Sequence, residues 1–475
     1  MKPFCLFFSL SLVFSARAQD THYWNSQYGP GGFFLPGAVI AFNGDSGVYF
    51  YNPALFARSK KSSISLNAVL YQTQGIQIKN GAGTGKNLES RNNSSVPQML
   101  AGSIALGKKK FTLAYALIHT PGIGFTASQR RDEKFQVLSD DYSPGTEYFV
   151  GQYVIENRAS ETRAQIGTGF SLGPKWSAGL TLEGNLHNQY YSLNYLARAL
   201  VNPGVVNFPL VSSDADYLAD YTGYGMRVRG GLAYDGGTNH IGVTVNTPLI
   251  RLGGTGTIVS DNVINSLLLP GFTDPISIIA NTRQEDLKVY WKTPLSIAAG
   301  YLHDFPKGQL YISAEYFAAI KEYDILSPKN SFFIRPDTGN NNLFTYSLLR
   351  LKDNRKQVIN FSIGHNFSLR KNITAFSSFR TDLSFLDRNG FKDNTGIVPF
   401  TAYWDNYHLQ LGINKRARNR NMRAGLFFIY GSTDKYEQVI NFDDPNEPNV
   451  LQGNTHLVSA SALTVGLILS YIQNF

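Results

Sequence analysis

The run Leu463-Thr464-Val465-Gly466-Leu467-Ile468-Leu469-Ser470-Tyr471-Ile472-Gln473-Asn474-Phe475 closes the chain, and its reading decides the fold. Strand side chains point alternately to two faces. Leu463, Val465, Leu467, Leu469, Tyr471, Gln473 and Phe475 therefore share one face, and Thr464, Gly466, Ile468, Ser470, Ile472 and Asn474 fall on the other. A strand of about a dozen residues is longer than the five or six usual in soluble sheets. With one apolar face it suits a tilted crossing of a membrane.

The same split recurs upstream. Trp176, Ala178, Leu180, Leu182 and Leu186 oppose Ser177, Thr181, Glu183, Asn185 and His187; Ile359, Phe361, Ile363, Phe367 and Leu369 oppose Asn360, Ser362, Asn366 and Ser368; Tyr407, Leu409, Leu411 and Ile413 oppose His408, Gln410 and Asn414. A soluble sandwich alternates too, so the connections have to decide. Fourteen candidate strands are joined by six tight turns, at 108–109, 173–174, 236–237, 304–307, 370–371 and 415–420. These alternate with seven long loops near 75–95, 121–159, 188–221, 251–286, 324–355, 385–403 and 433–461. The expected fold is all-β, a 14-stranded antiparallel transmembrane β-barrel with short turns at the periplasmic rim and long loops outside. An even strand number returns both chain ends to the periplasm. Past residue 18 no stretch offers the eighteen or so apolar residues of a spanning helix.

The start of the chain agrees with export. Lys2 precedes an apolar run from Phe4 to Phe14, and Ala16-Arg17-Ala18 supplies a small-x-small cleavage site, so residues 1–18 read as a signal peptide. Cys5, the single cysteine, leaves with it, and the mature protein has no thiol chemistry. The expected organisation is a signal peptide at 1–18, an N-terminal hatch at 19–61 and the barrel at 62–475, set among the lipids of a Gram-negative-type outer membrane. Loss of Lys2 and Arg17 lowers the formal charge from +9 to +7. Much of the remaining excess, including Lys108, Lys109, Lys110, Lys371, Arg416 and Arg418, sits in or beside the tight turns. Rim charge near lipid headgroups accounts for it without nucleic acid.

Residues 19–61 carry Gly29, Gly31, Gly32, Pro30, Pro36 and Pro53, a density of breakers that argues against a spanning strand. The segment is also aromatic, with Phe33, Phe34, Phe42 and Tyr49, and is too apolar for a free tail. It is expected to plug the lumen. On the inward faces Tyr311, Ser313, Glu315, Phe317 and Lys321 fall together, as do Arg423, Phe427 and Ile429. Such groups fit either an amphipathic ligand or packing against the plug. Phe33, Phe34, Phe42, Tyr49, Phe317 and Phe427 are the candidate ligand pocket. Arg163, Arg227, Arg229 and Glu183 also project inward, as an ion-pair network or, for one arginine, as the partner of a ligand carboxylate.

Gly37-Ala38-Val39-Ile40-Ala41-Phe42-Asn43-Gly44-Asp45-Ser46-Gly47, followed by Asn52-Pro53-Ala54-Leu55, resembles the N-terminal hatch of the FadL-type outer-membrane transporters of long-chain fatty acids and aromatic hydrocarbons. Val96-Pro97 and the break Pro121-Gly122-Ile123-Gly124 are similar to that family's second and third strands, and its barrel also has fourteen strands. The resemblance implies a hydrophobic molecule captured among the outer loops, passed to a pocket beside the hatch and released sideways through a gap at a kinked third strand. Pro121, Gly122 and Gly124 are candidates for the kink, or for the start of an outer loop. Gly37, Asp45, Asn52, Pro53 and Ala54 form the hatch motif, and Asn52 and Asp45 are expected to hold its shape through bonds to backbone. The terminal Phe475 resembles the signal read by the barrel-assembly machinery.

Catalytic signals do not assemble. Gly81-Ala82-Gly83-Thr84-Gly85-Lys86-Asn87 has Asn80 where a phosphate loop needs its first glycine and Asn87 where it needs Ser or Thr. His365 stands alone on a lipid face, short of the Ser-His pair an outer-membrane phospholipase needs. Asp443, Asp444 and Glu447 could ligate calcium, though a solvated loop explains them as well, and no metal or cofactor is expected. The functional expectation is a plugged barrel admitting hydrophobic small molecules. The alternatives are an adaptor of the same fold that grips secreted proteins through its loops, and a general porin.

Overall fold

A computed structural model describes residues 21–24, 41, 51–58, 62–105, 111–202, 210–336, 344–393 and 395–475. The expected signal peptide and most of the expected hatch lie outside them. In chain order the strands are β1 Ser63–Ile78, β2 Leu88–Ala105, β3 Phe111–Phe135, β4 Glu147–Ser171, β5 Trp176–Leu200, β6 Leu210–Asp235, β7 Asn239–Asn246, β8 Ile250–Leu267, β9 Ile276–Lys288 and β10 Ser296–Phe305. They continue with β11 Gly308–Phe317, β12 Ile320–Leu326, β13 Ile334–Pro336, β14 Leu351–Arg355, β15 Val358–Arg370, β16 Ile373–Asp382, β17 Asn406–Arg416, β18 Arg420–Glu437 and β19 Leu457–Asn474.

These make a closed antiparallel barrel of 14 wall strands. β7 with β8, and β9 with β10, each form one interrupted wall strand: β6 pairs with both β7 and β8, while β10 pairs with β7 and β9 with β8. β19 pairs with β1 from Ser63↔Asn474 to Ile78↔Ala460 and closes the ring. The burial pattern is that of a membrane barrel. Leu409, Leu411 and Ile413 on β17 are 45%, 45% and 51% exposed, while His408, Gln410 and Asn414 on the same strand are buried. A soluble sheet would hide the first set and wet the second.

Tight turns lie where the sequence puts them, between β4 and β5, β6 and β7, β10 and β11, β15 and β16, and β17 and β18. The turn after β6 shows why: Asp235 accepts a bond from Gly237 N through Oδ1 at 3.0 Å, and Gly237 takes φ +88°, open to a residue without Cβ. The outer loops are shorter than the sequence suggests. The expected loop 121–159 is mostly strand, since β3 runs on to Phe135 and β4 begins at Glu147; likewise β5 reaches Leu200 and β8 reaches Leu267. Above the membrane the sheet packs one face on loop residues and the other in water, and the lipid-type alternation that marks a strand in the sequence fades.

Outside the membrane the wall divides into two panels, β18-β19-β1-β2 and β3-β4-β5-β6-β8-β9-β13. Loops tie them together. Asp443 accepts from Thr84 N (2.6 Å) and pairs with Arg131 (2.8 Å), and buried Glu447 accepts from Tyr142 Oη, Ser139 N (3.2 Å) and Leu268 N (3.0 Å). Asp443 and Glu447, two of the three acidic residues weighed as calcium ligands, thus serve as loop clasps.

Candidate functional site

The hatch motif is a turn seated on the inner wall. Asn52 Oδ1 accepts from Ala54 N at 3.0 Å and its Nδ2 donates to Leu232 O on β6 at 3.1 Å. The first bond caps the turn, and Pro53, with no N–H to orphan, opens the 3₁₀ helix Pro53–Arg58. Arg58 ends it with an ion pair to Asp235 and a bond to Lys175 O at 2.8 Å. Backbone can lie flat on the wall here because the wall has no side chains: Gly169, Gly179 and Gly231 are successive partners in one row across β4, β5 and β6, all inward. A Cβ on Gly169 would lie 2.6 Å from Pro53 O and Ala57 N, one on Gly179 would overlap the Pro53 carbonyl, and one on Gly231 would overlap Asn52 Oδ1. Glycine in a strand often marks such an approach. Gly37 and Asp45 lie outside the described residues.

A second part of the N-terminal segment is stitched into the lumen higher up. Thr21 Oγ1 donates to Ala402 O at 2.7 Å, and Phe385 N donates to Thr21 O at 2.8 Å. Trp24 N donates to Asp382 Oδ1 at 2.9 Å, and its Nε1 to Glu315 Oε2 at 2.7 Å. Tyr23 stacks on Phe317, ring centroids 4.1 Å apart, inside a cluster with Phe385 and Phe400. Phe427 belongs to another cluster, with Leu55 and Phe56 of the hatch turn. The two candidate-pocket aromatics within the described residues are thus held apart, each against the plug; Phe33, Phe34, Phe42 and Tyr49 lie outside the described residues. Lys321, expected beside Phe317, is exposed on β12, because the strand breaks at 318–319 and parity does not carry across.

His22 makes this docking sensitive to pH. Its Nε2 donates to Trp404 O at 2.6 Å, and burial pushes its pKa from 6.5 to about 4. The docked segment holds the neutral ring, so the stabilisation is complete above pH 6.5, falls as pH drops and is gone below about 4. The full swing is about 3 kcal/mol. Proteolysis of residues 21–24 should quicken between pH 7 and pH 5 in the wild type and stay level in His22→Gln; equal rates at both pH values in the wild type would rule His22 out as the titrating group.

Polar groups fill the lumen between and above these anchors. Glu183 pairs with Arg227 at 2.6 Å and Arg229 at 3.8 Å, and Arg163 with Glu161 at 3.4 Å. β12 and β14 form a separate two-stranded sheet whose Asp353 pairs with Arg355 at 2.7 Å and accepts from Tyr323 Oη at 2.7 Å. The Arg355 guanidinium lies 4.4 Å from the Phe385 ring and 4.7 Å from that of Trp291. At the periplasmic mouth a polar cavity of about 550 Å³ lies among Asp304, Gln309, Asn366, Arg416 and Arg423.

The wall itself parts on one side. β2 and β3 are laddered only from Ala105↔Thr112 to Met99↔Ile118, and above this the two strands share no ladder. Higher up, Thr126 N donates to Ser90 Oγ at 3.1 Å and Gln129 Nε2 to Asn87 O at 2.6 Å. Opposite the parting, the β3–β4 register slips between Pro121 and Gly124. Pro121, Gly122 and Gly124 therefore lie at a bulge in mid-strand rather than at a strand end. An apolar cavity of about 760 Å³ opens on the outer wall at its foot, lined by Leu66, Pro97, Leu100, Leu117 and His119 among others.

This 14-stranded barrel has solved counterparts. A FadL homologue of Pseudomonas aeruginosa matches with a TM-score of 0.60 at 13% identity over 96% of this chain and 100% of that one. The toluene transporter TodX of Pseudomonas putida gives 0.58 at 13% identity, covering 96% and 100% of the two chains. The toluene transporter TbuX of Ralstonia pickettii gives 0.53 at 13%, covering 95% and 99%. The chain carries the FadL-type fold. No sequence-family profile and no curated protein sequence matches it. Within this FadL-type barrel His365 faces outward across the ladder from Ser377, and no hydrogen bond joins the two side chains. TodX and TbuX are described as toluene transporters.

The features that sequence reading missed are the glycine row, Tyr23 and Trp24, and the Asp353–Arg355 pair. Only the first left a signal, inward glycines at matching heights on three consecutive strands.

Proposed function

We propose that the chain is an outer-membrane channel that admits hydrophobic small molecules, such as long-chain fatty acids or aromatic hydrocarbons, and releases them sideways between β2 and β3. The observation that carries the reading is the loss of the β2–β3 ladder above Met99 and Ile118 in a barrel whose inner wall holds residues 21–24 and 51–58. A molecule that enters from outside meets the plug, and the parted wall offers an apolar solute a route into lipid without crossing the aqueous periplasm. The fold's toluene-transporting relatives add weight to the reading. The exposed terminal Phe475 would serve assembly rather than transport.

The test is uptake by vesicles holding the wild type or Pro121→Ala/Gly122→Val, in which removal of the bulge favours a continuous ladder. Labelled oleate and toluene should enter through the wild type and about tenfold more slowly through the variant, the effect of misplacing an exit by one bulge. Equal rates would remove the parting from the route. Sugar flux through the wild type would indicate a porin. No flux of any solute would turn attention to the loops and a secreted protein partner.

A further inference from the structure

A second interruption of the wall, on the other side of the barrel, has no part in the proposed route. The β7–β10 ladder ends at Asn246↔Ser296 and the β8–β9 ladder starts at Thr255↔Lys288, so residues 247–254 face residues 289–295 without a ladder. Two long backbone bonds bridge the gap, Leu249 N to Thr293 O (3.4 Å) and Val289 N to Gly254 O (3.4 Å), together with a side-chain bond from Arg251 Nε to Val289 O (2.5 Å). Pro248 and Pro294, one on each side, have no N–H to donate. The neighbouring strand breaks at the same level, between β11 and β12. A cavity of about 360 Å³ results, with Leu249, Leu295, Ala319 and Ile320 in its lining and Arg251 and Lys292 exposed at its rim.

This pocket opens to the membrane and is shut towards the lumen. Trp291 closes its inner side, buried and stacked on His187 at 3.7 Å and 3°. On the outer side Ile250 and Leu252 are each 59% exposed and Tyr290 is 42% exposed. Height follows from strand geometry: the residues from Ile241 to Arg251, at about 3.3 Å each and a tilt of about 40°, climb about 25 Å, the height of a barrel's apolar band. Arg251 and Lys292 therefore stand at the outer edge of the hydrocarbon. Each lies over a tyrosine ring, Arg251 4.6 Å from that of Tyr290 and Lys292 4.3 Å from that of Tyr323, and neither forms an ion pair with a described carboxylate. Two cations without counter-charge, at the headgroup level and above an apolar cavity, are complementary to an anionic headgroup with its acyl chain below.

We propose that this pocket binds a phosphorylated glycolipid of the outer leaflet, one acyl chain in the cavity and a phosphate between Arg251 and Lys292. The site would fasten the barrel to its lipid where the wall is weakest, and it depends on the long loops facing outward but not on transport. Full-length mature protein in nanodiscs containing equal amounts of bisphosphorylated lipid A and its phosphate-free counterpart, examined by native mass spectrometry, tests it. The wild type should retain the phosphorylated form with about tenfold preference, from two cations at the headgroup level. Arg251→Gln/Lys292→Gln should lose the preference, and Ala319→Trp, which fills the cavity, should retain neither form. No preference in the wild type, a preference surviving the double substitution, or undiminished retention by Ala319→Trp would each overturn the assignment. So would displacement of the glycolipid by added oleate at equal concentration, which would make the pocket a cargo site.

Discussion

Gly179→Val is expected to unseat the hatch turn and open the lumen while leaving the barrel closed. The Cβ alone would overlap the Pro53 carbonyl, and backbone cannot rotate out of the way as a side chain can. Relief requires the turn to lift from β4, β5 and β6, which breaks the Asn52–Leu232 bond and strains the Arg58–Asp235 pair. Overpacking of about 1–3 kcal/mol with a lost buried hydrogen bond of about 1 kcal/mol exceeds what one turn of 3₁₀ helix can supply on its own. Planar-bilayer conductance should rise several-fold, approaching that of a protein lacking residues 20–56. Gly184→Ala on the same strand is the control: it faces outward, its nearest neighbour would be Ala164 O at 3.9 Å, and its conductance should match the wild type. A folded Gly179→Val barrel with wild-type conductance would mean that the turn does not seal the lumen.

That row of glycines marks the boundary of what could be read from the chain. Period-two alternation at Tyr407–Ile413 or Ile359–Leu369 gives strand, face and membrane together, because lipid selects one face along the full crossing. Gly169, Gly179 and Gly231 lie 10 and 52 residues apart in the chain, and become one feature only once the strand register places them side by side. The same holds for the outer half of the fold. β3 was expected to end near Pro121, since proline and glycine weaken a ladder, yet the strand absorbs them as a bulge and continues to Phe135. Leu351-Lys352-Asp353-Asn354-Arg355 shows the reverse error. These residues fall at the end of the long loop expected near 324–355, whereas all five are buried in the structure, because their partners, Tyr323 and the rings around Arg355, come from distant loops and the hatch. Local pattern reports the solvent a strand faces; it carries no record of a partner supplied by another loop.

Arg355→Leu should therefore loosen the upper lumen far more than its chemistry alone suggests. The guanidinium answers Asp353 at 2.7 Å and is flanked by the rings of Tyr23, Trp291 and Phe385, which come from the hatch, the wall and an outer loop. Removal of one partner leaves an uncompensated buried charge, at about 3–5 kcal/mol. Asp353→Asn/Arg355→Leu removes both charges and should recover most of that loss, since a buried pair is worth little against apolar packing of similar volume. Amide exchange on β12 and β14 should speed by about a hundredfold in the single variant and by less than about tenfold in the double. If the double variant exchanges as fast as the single, the guanidinium stabilises the site by stacking rather than by charge. The three aromatic contacts would then be the joint between hatch, wall and loop, and the position would need a flat side chain there, charged or not.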